Sequence, residues 1–390
     1  MRVCIVYDCL YPFTIGGAER WYRNLAERLA SGGNEVTFLT RRQWRRGDEP
    51  EIPGVNVVAV SPRMELYARG RRRILPPLLF GLGVLAHLLR HGQRYDVVHT
   101  ASFPYFSLLA AGAARRRGSF RLLVDWHEVW TREYWRDYLG SIGGHIGWRI
   151  QRACLEAPQR AFCFSRLHEN RLRELGLRGE LTRLEGQYVG PPAPPAPLPA
   201  RPFVVFAGRH IPEKRVPALV PAVAQIQDLH AEIYGDGPER VKVLEAISRH
   251  HLDDRVRAPG FVDEDVLKRA LASALCFSLP SRREGYGLVV VESAARGVPS
   301  VVVDGPDNAA TELVEEGING AIAASADADT LAAAIARVQR AGPELRRSTL
   351  DWFRRNEERL SLEGSLAIVM REYGAPAHTP AASAAQSPSS

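Results

Sequence analysis

The sequence predicts an α/β protein of two Rossmann-like parallel-sheet domains facing a central cleft. Three observations carry that prediction. Short apolar runs alternate with amphipathic stretches through both halves, as in strands buried on both faces and joined by helices. The segment 190–202, GPPAPPAPLPARP, holds seven prolines and divides the chain almost in half. At 390 residues, 45% apolar and 24% charged, the chain is long enough for two cores of ordinary domain size.

The first domain is expected over 1–189. Arg2–Asp8 reads as a buried strand: MRVCIVYDCL carries an acid at Asp8 and no long apolar run, so no signal peptide is expected. Gly16-Gly17-Ala18-Glu19 opens a helix to about Ala30, stopped by Gly32-Gly33, and Glu35–Thr40 is the next strand. The glycine turn sits at the carboxyl end of the first strand, where such sheets bind ligands. It is not G-x-G-x-x-G, so no nicotinamide cofactor is indicated. Val55–Val60 is a strand. Arg69, Arg71, Arg72 and Arg73 then precede the apolar run Ile74–Leu89, which two prolines and two glycines interrupt. That run is short for a membrane span. It suits a core-facing helix first, and as the sharper alternative a monotopic patch with arginines on anionic headgroups. His87 and His91 share a helix face without a third ligand, so no metal site is expected. Tyr95–Thr100 is a strand, Phe103–Arg117 mainly helix, and Phe120–Asp125 a strand that places His127 at its carboxyl end. Ile142–Pro158 is an amphipathic helix, Arg160–Ser165 a strand and Arg166–Leu175 a helix.

The proline-rich segment 190–202 is expected to be a semi-rigid extended linker. Phe203–Ala207 restarts the alternation in a second domain over 203–349. A helix after Val216 carries Pro217, which suits a first turn, and Pro221, which should kink it. His230–Tyr234 and Val256–Gly260 are strands, Val266–Ala274 a helix, and Ala274–Leu279 a strand. Ala328–Arg340 is a helix. Residues 350–373 form two more, and 374–390, rich in Ala, Pro and Ser, is expected to be disordered.

The chemistry gathers in Ser281–Asp304, SRREGYGLVVVESAARGVPSVVVD. A charged loop leads into a helix over Leu288–Arg296, and Ser300–Val303 is a buried strand. Glu284 lies in the loop and Glu292 on the helix. Gly285 and Gly287 keep side chains away, so backbone N–H groups at the helix start can meet an anion. Two hydroxyl acceptors beside a phosphate cradle suit a sugar nucleotide. The same residues would also serve as a glycine-rich loop before a helix with two solvent-facing glutamates. The Glu-x7-Glu spacing, the following Gly-x-Pro and strand, and DNAATELVEEGINGAIA (Asp307–Ala323) together resemble family 4 retaining glycosyltransferases, which have the GT-B fold.

That resemblance implies roles residue by residue. Residues 1–189 become the acceptor-side domain, 203–349 the nucleotide-sugar domain, and 350–373 the helices that cross back onto the first. Glu284 would hold sugar hydroxyls at the reacting carbon, with His127 close to the donor sugar. Both stand as catalytic. The family often has His-Asp where this chain has His127-Glu128. Glu292 would hold the ribose, and Gly16 and Gly17 would lie against the donor phosphates and the acceptor. Arg209 and Lys214, from GRHIPEKRV, would take the diphosphate with the amides around Gly285, Gly287 and Leu288. Phe261 and Val262 would face the base. Arg209 and Lys214 match the chemistry independently, since fixed cations stabilise a leaving diphosphate. Trp126, Trp130, Tyr134, Trp135 and Tyr138 suit either stacking on sugar rings or core packing.

No cofactor beyond the nucleoside-diphosphate sugar is expected, and no metal. Asp263-Glu264-Asp265 and Asp327-Ala328-Asp329 match a metal-binding Asp-x-Asp only trivially. Residues 1–190 hold 29 arginines against 18 acids, a net +11, leaving −4 for the remainder. No nucleic-acid motif accompanies that charge, so solvated arginine faces are its plain reading, and an anionic membrane surface or anionic acceptor is the better partner if it has one. Five irregularly spaced cysteines fit a reducing cytosol, at the inner face of a membrane if the basic run docks. The acceptor itself, lipid-linked or another glycoconjugate, is not named by the residues. A sugar-nucleotide epimerase of the same fold and a non-catalytic partner subunit remain alternatives.

Overall fold

The structure, a computed structural model, describes residues 1–45, 47–68 and 71–374. The expected disorder of the tail beyond Gly374, and Arg69 of the basic run, lie outside them. Two main sheets form, each wholly parallel. Across the first, the strands run Val55–Ser61, Glu35–Arg41, Arg2–Val6, Val97–Ala101, Arg121–Trp126, Gln159–Cys163 and Gly179–Arg183. Across the second they run Val256–Gly260, His230–Tyr234, Phe203–Ala207, Cys276–Leu279, Ser300–Val303 and Gly320–Ala323. In each sheet the first strand of the unit lies inside and the order reverses beside it. Ligands of such sheets bind at that reversal, off the carboxyl ends. Loops 8–16 and 208–214 leave the two reversal strands there.

Several local outcomes differ from the sequence reading. The edge strands Gly179–Arg183 and Gly320–Ala323 and the helix Arg240–Arg249 were not anticipated. Tyr134, Trp135 and Tyr138 of the aromatic run lie on a helix that continues into the expected one, Arg132–Glu156, with a kink where Gly140 takes φ 76°. Pro221 does not kink its helix. The α-helix starts at Leu219 after a 3-10 turn over Val216–Ala218, so Pro221 falls in the first turn, where no backbone donor is missed. The helix from Ala328 breaks at Gly342 (φ 58°), restarts at Pro343 and runs unbroken through Leu350 to Leu360. A last helix, Leu362–Gly374, includes Gly374, which the sequence places at the start of the tail.

Segment 190–202 is extended and bound along the second domain. Ala193 N–H donates to Ala295 O (2.8 Å) and Ala196 N–H to Ala272 O (3.0 Å). The Arg346 guanidinium donates to both Ala196 O (2.7 Å) and Ala272 O (2.8 Å). The chain passes between domains twice, at 186–190 and 360–362, and the two passages pair. Tyr188 N–H donates to Leu360 O (3.1 Å), and Leu362 N–H donates to Tyr188 O (2.8 Å). A Cβ on Gly186 would stand 2.1 Å from Ser361 O, so only glycine fits there. The last helix then lies on the first domain, where Arg160 pairs with Glu372 (2.6 Å).

Helix Leu75–His91 buries Phe80, Val84 and Leu88 and leaves Leu75, Leu78, Leu82 and Leu89 exposed, with Ile74 just before it. Among the described residues no helix is long and apolar enough to cross a membrane.

Candidate active site

Two loops of the second domain meet at its sheet reversal. The chain leaving Phe203–Ala207 turns through Pro212–Lys214, and the chain leaving Cys276–Leu279 forms Ser281–Gly287. The two-residue strand Arg283–Glu284 pairs in parallel with Asp307–Asn308. Glu284 is only 7% exposed. Its Oε1 accepts from Ser281 Oγ (2.6 Å) and from Lys214 Nζ (2.5 Å). Lys214 and Glu284 are therefore in direct contact, cation on carboxylate. Arg209 lies exposed earlier on the same loop.

Gly287 takes φ 108°, a left-handed conformation that frees it to start the helix Leu288–Ala294. Glu292 projects from that helix and meets the other domain: its Oε1 is 3.4 Å from an Arg20 nitrogen. Burial pushes the Glu292 carboxyl above the usual range, Arg20 and Arg296 only partly drawing it back. Glu284 and Glu292 thus have different partners. After Gly260 (φ 94°), Phe261 is 69% exposed while Val262 packs against the core.

On the first domain, Gly16 is extended (φ −175°) and Gly17 begins the helix Gly17–Ser31, with a Cβ on Gly17 3.6 Å from Gln187 Oε1. His127 stacks on Phe164, ring centres 4.7 Å apart, and stands edge-on to Tyr22 at 5.9 Å. Its Nε2 is buried without a hydrogen-bond partner. Burial lowers its pKa against the pull of Asp125 and Glu128, so the ring is neutral at pH 7. The Glu284 loop closes on it: a Cβ on Gly285 would stand 2.6 Å from His127 O.

Behind His127 lies a network that the sequence reading did not assemble. Asp125 Oδ2 accepts from Trp21 Nε1 (2.7 Å). Its Oδ1 is 2.9 Å from His99 Nε2, though out of line for a hydrogen bond. His99 Nδ1 meets Tyr373 OH at 2.7 Å. The crossing helix thus ends inside the first domain, against residues 274 positions away in sequence. Burial favours the neutral acid, but His99, His127 and the Trp21 N–H hold Asp125 below the usual range.

The aromatic run is mostly core. Trp126, Trp130, Tyr134 and Trp135 are buried, and Gln151 Oε1 accepts from Trp135 Nε1 (3.0 Å) and Tyr105 OH (2.8 Å). Tyr138 is partly exposed, 36%. His87 is occupied by Tyr95 OH (2.8 Å), and burial, with His91 beside it, lowers its pKa to about 4. Among the described residues no group of three or more His, Cys, Asp or Glu could hold a metal ion.

Residues 15–184 match the family model of Glycosyltransferase Family 4, and residues 201–340 that of Glycosyl transferases group 1. The lipopolysaccharide core biosynthesis glycosyltransferase LpsE of Rhizobium meliloti is 27% identical over 333 residues, 83% of this chain and 85% of that protein. The alpha-D-kanosaminyltransferase of Streptomyces kanamyceticus is 31% identical over 153 residues, 38% of this chain and 39% of that one. In the second case the match spans well under half of the relative's length. The solved sucrose-phosphate synthase of Thermosynechococcus elongatus superposes with a TM-score of 0.79 at 20% identity, covering 96% of this chain and 98% of that one.

Proposed function

Because the chain is a GT-B-fold glycosyltransferase related to glycosyltransferase family 4 and the group 1 glycosyl transferases, using a nucleoside-diphosphate sugar, we propose that it transfers a hexose-type sugar to an acceptor hydroxyl with retention and without a metal. The observation that carries this reading is the contact between domains: the loop holding the Lys214–Glu284 pair lies directly against His127. Lys214 and Arg209 take the diphosphate and neutralise the charge it gains as it leaves. Glu284 holds sugar hydroxyls as the ring gains positive charge, and the neutral His127 stands by the sugar as a hydrogen-bonding group. The departing phosphate oxygen accepts the acceptor's proton. Glu292, a half-buried carboxylate with one long contact, has acceptor capacity left for a ribose.

The acceptor belongs on the arginine-rich first domain. Ile74, Leu75, Leu78 and Leu82 stand exposed there beside the basic run, which suits docking on an anionic membrane from the cytoplasmic side and a lipid-linked acceptor. Transfer is tested with a panel of nucleoside-diphosphate sugars in excess chelator, following the anomeric signal of donor and product by NMR. Retained configuration and undiminished turnover are expected. Inverted product, or activity only with added Mg²⁺ or Mn²⁺, would overturn the mechanism. Isomerised donor without transfer would make the chain an epimerase.

A further inference from the structure

Arg283 immediately precedes Glu284 on a two-residue strand. Neighbouring strand residues point to opposite sides. Glu284 turns inward to Ser281 and Lys214, while Arg283 reaches into the other domain. Its guanidinium carbon lies 4.6 Å from the ring centre of Trp130 and 4.2 Å from that of Tyr134. Nη1 is 3.0 Å from Glu128 Oε2, and the side chain is only 13% exposed. Nε and Nη1 have no aligned hydrogen-bond partner among the described residues, so the rings and the ion pair hold the group.

The receptor is itself braced. Trp130 Nε1 donates to the same Glu128 oxygen at 2.8 Å. Tyr134 OH donates to Glu213 Oε1 at 3.0 Å, and Glu213 is the neighbour of Lys214. A Cβ on Gly285, two residues after Arg283, would meet Glu128 Cγ at 3.0 Å as well as His127 O. One segment of the first domain, His127–Tyr134, therefore touches both loops that carry the second domain's reacting charges.

We propose that Arg283 and Glu128 are positioning residues: the guanidinium, seated between Trp130 and Tyr134 and paired with Glu128, sets Glu284 against His127 when the domains meet. The proposal rests on the transferase reading for what Glu284 does. The seat is made by one domain and filled by the other, so it contributes nothing to the folding of either alone. It acts only on the assembled cleft. Burial works against the Glu128 charge, yet Arg283 and the Trp130 N–H hold its carboxyl below the usual range. A planar guanidinium can stack on two rings while pairing, which a lysine ammonium cannot do. The pairing also gives the His-Glu dipeptide of this chain a use of its own.

The test compares Arg283→Met, Arg283→Lys and Glu128→Gln with the full-length wild type. Turnover and donor KM are measured with the sugar nucleotide most active in the panel, and amide exchange across 127–134 without any ligand. A misplacement near 1 Å can cost about a hundredfold in rate, so Arg283→Met is expected to lower kcat by roughly 10- to 100-fold. Donor KM should stay within about threefold, because the clamp holds no part of the nucleotide. Exchange in 127–134 should rise, and Arg283→Lys should recover only part of the rate. Should Arg283→Met fail to fold, Glu128→Gln asks the same question from the other domain. Unchanged kcat, a loss confined to KM, or unchanged exchange overturns the clamp. Exchange needs no reaction, so faster exchange in a chain that transfers nothing counts against the transferase reading and leaves the clamp standing.

Discussion

Asp125, fully buried, and Glu292, half-buried, are carboxylates on opposite sides of the domain junction, and loss of water pushes both towards the neutral acid. At Asp125 the protein wins the charge back. One oxygen accepts from Trp21 at 2.7 Å, the other lies 2.9 Å from His99 without an aligned hydrogen bond, and the pKa ends below normal. At Glu292 it does not: the nearest cation is 3.4 Å away, and the pKa ends above normal. A buried charge that its own chain holds ionised belongs to the fold, whereas one left under-paired beside a cleft is what the proposed ribose contact requires. The two have opposite signs in pH. Asp125 contributes stability that is present above the ordinary aspartate range and lost as pH falls through its lowered pKa. The Glu292 contribution is present below the ordinary glutamate range and lost as pH rises through its raised one.

Removing each carboxylate should therefore break different things. The largest effect is expected at Asp125, where Asp125→Ala strands His99 and Trp21 and should cost about 3–5 kcal/mol of stability. Urea unfolding at pH 7 measures this; a loss under about 1 kcal/mol, no more than an ordinary single hydrogen bond, would end the contrast. Next come the two glutamates of the cleft. Charged hydrogen bonds are worth about 1.5–3 kcal/mol, so Glu292→Ala should raise donor KM roughly ten- to a hundredfold and change kcat less. Glu284→Gln should instead lower kcat, by a similar factor of about ten to a hundred, because its contact tightens as charge develops. Steady-state kinetics separates them, and equal effects confined to KM would remove Glu284 from the chemistry. The smallest effect sharpens the comparison most. Without donor, Glu292→Gln should stabilise the protein at pH 7 by up to about 1 kcal/mol. That gain should vanish as the pH falls far enough to protonate the glutamate itself. A lower melting temperature for Glu292→Gln at pH 7 would mean that Arg20 already satisfies the charge.

What could be read from the sequence follows from how far apart the partners lie. Strands buried on both faces announce themselves as apolar runs, so Val97–Ala101 and Ser300–Val303 were legible. Gly179–Arg183, GELTR, is an edge strand with none of its residues fully buried, and nothing in its composition marks it. The loop 281–287 and the carbonyl end of Arg121–Trp126 were legible because strand ends and glycines mark them locally. The contacts that close the site were not. Arg283 finds Trp130 and Glu128 more than a hundred residues away, and an aromatic run gives no sign of whether it will grip a cation, a sugar or its own core. Tyr373 was one residue of a terminal helix until the fold carried it to His99.

The paired passages at Tyr188 and Leu360–Leu362 have a mechanical consequence. A joint made of one extended strand can twist, shear and swing. Two passages bonded side by side restrict twist and shear, as a door hung on two pins is held to one swing. The side chain missing at Gly186 lets the pins lie flush. Any opening of the cleft is then expected to follow one arc and to bring the Glu284 loop back to His127 in the same register.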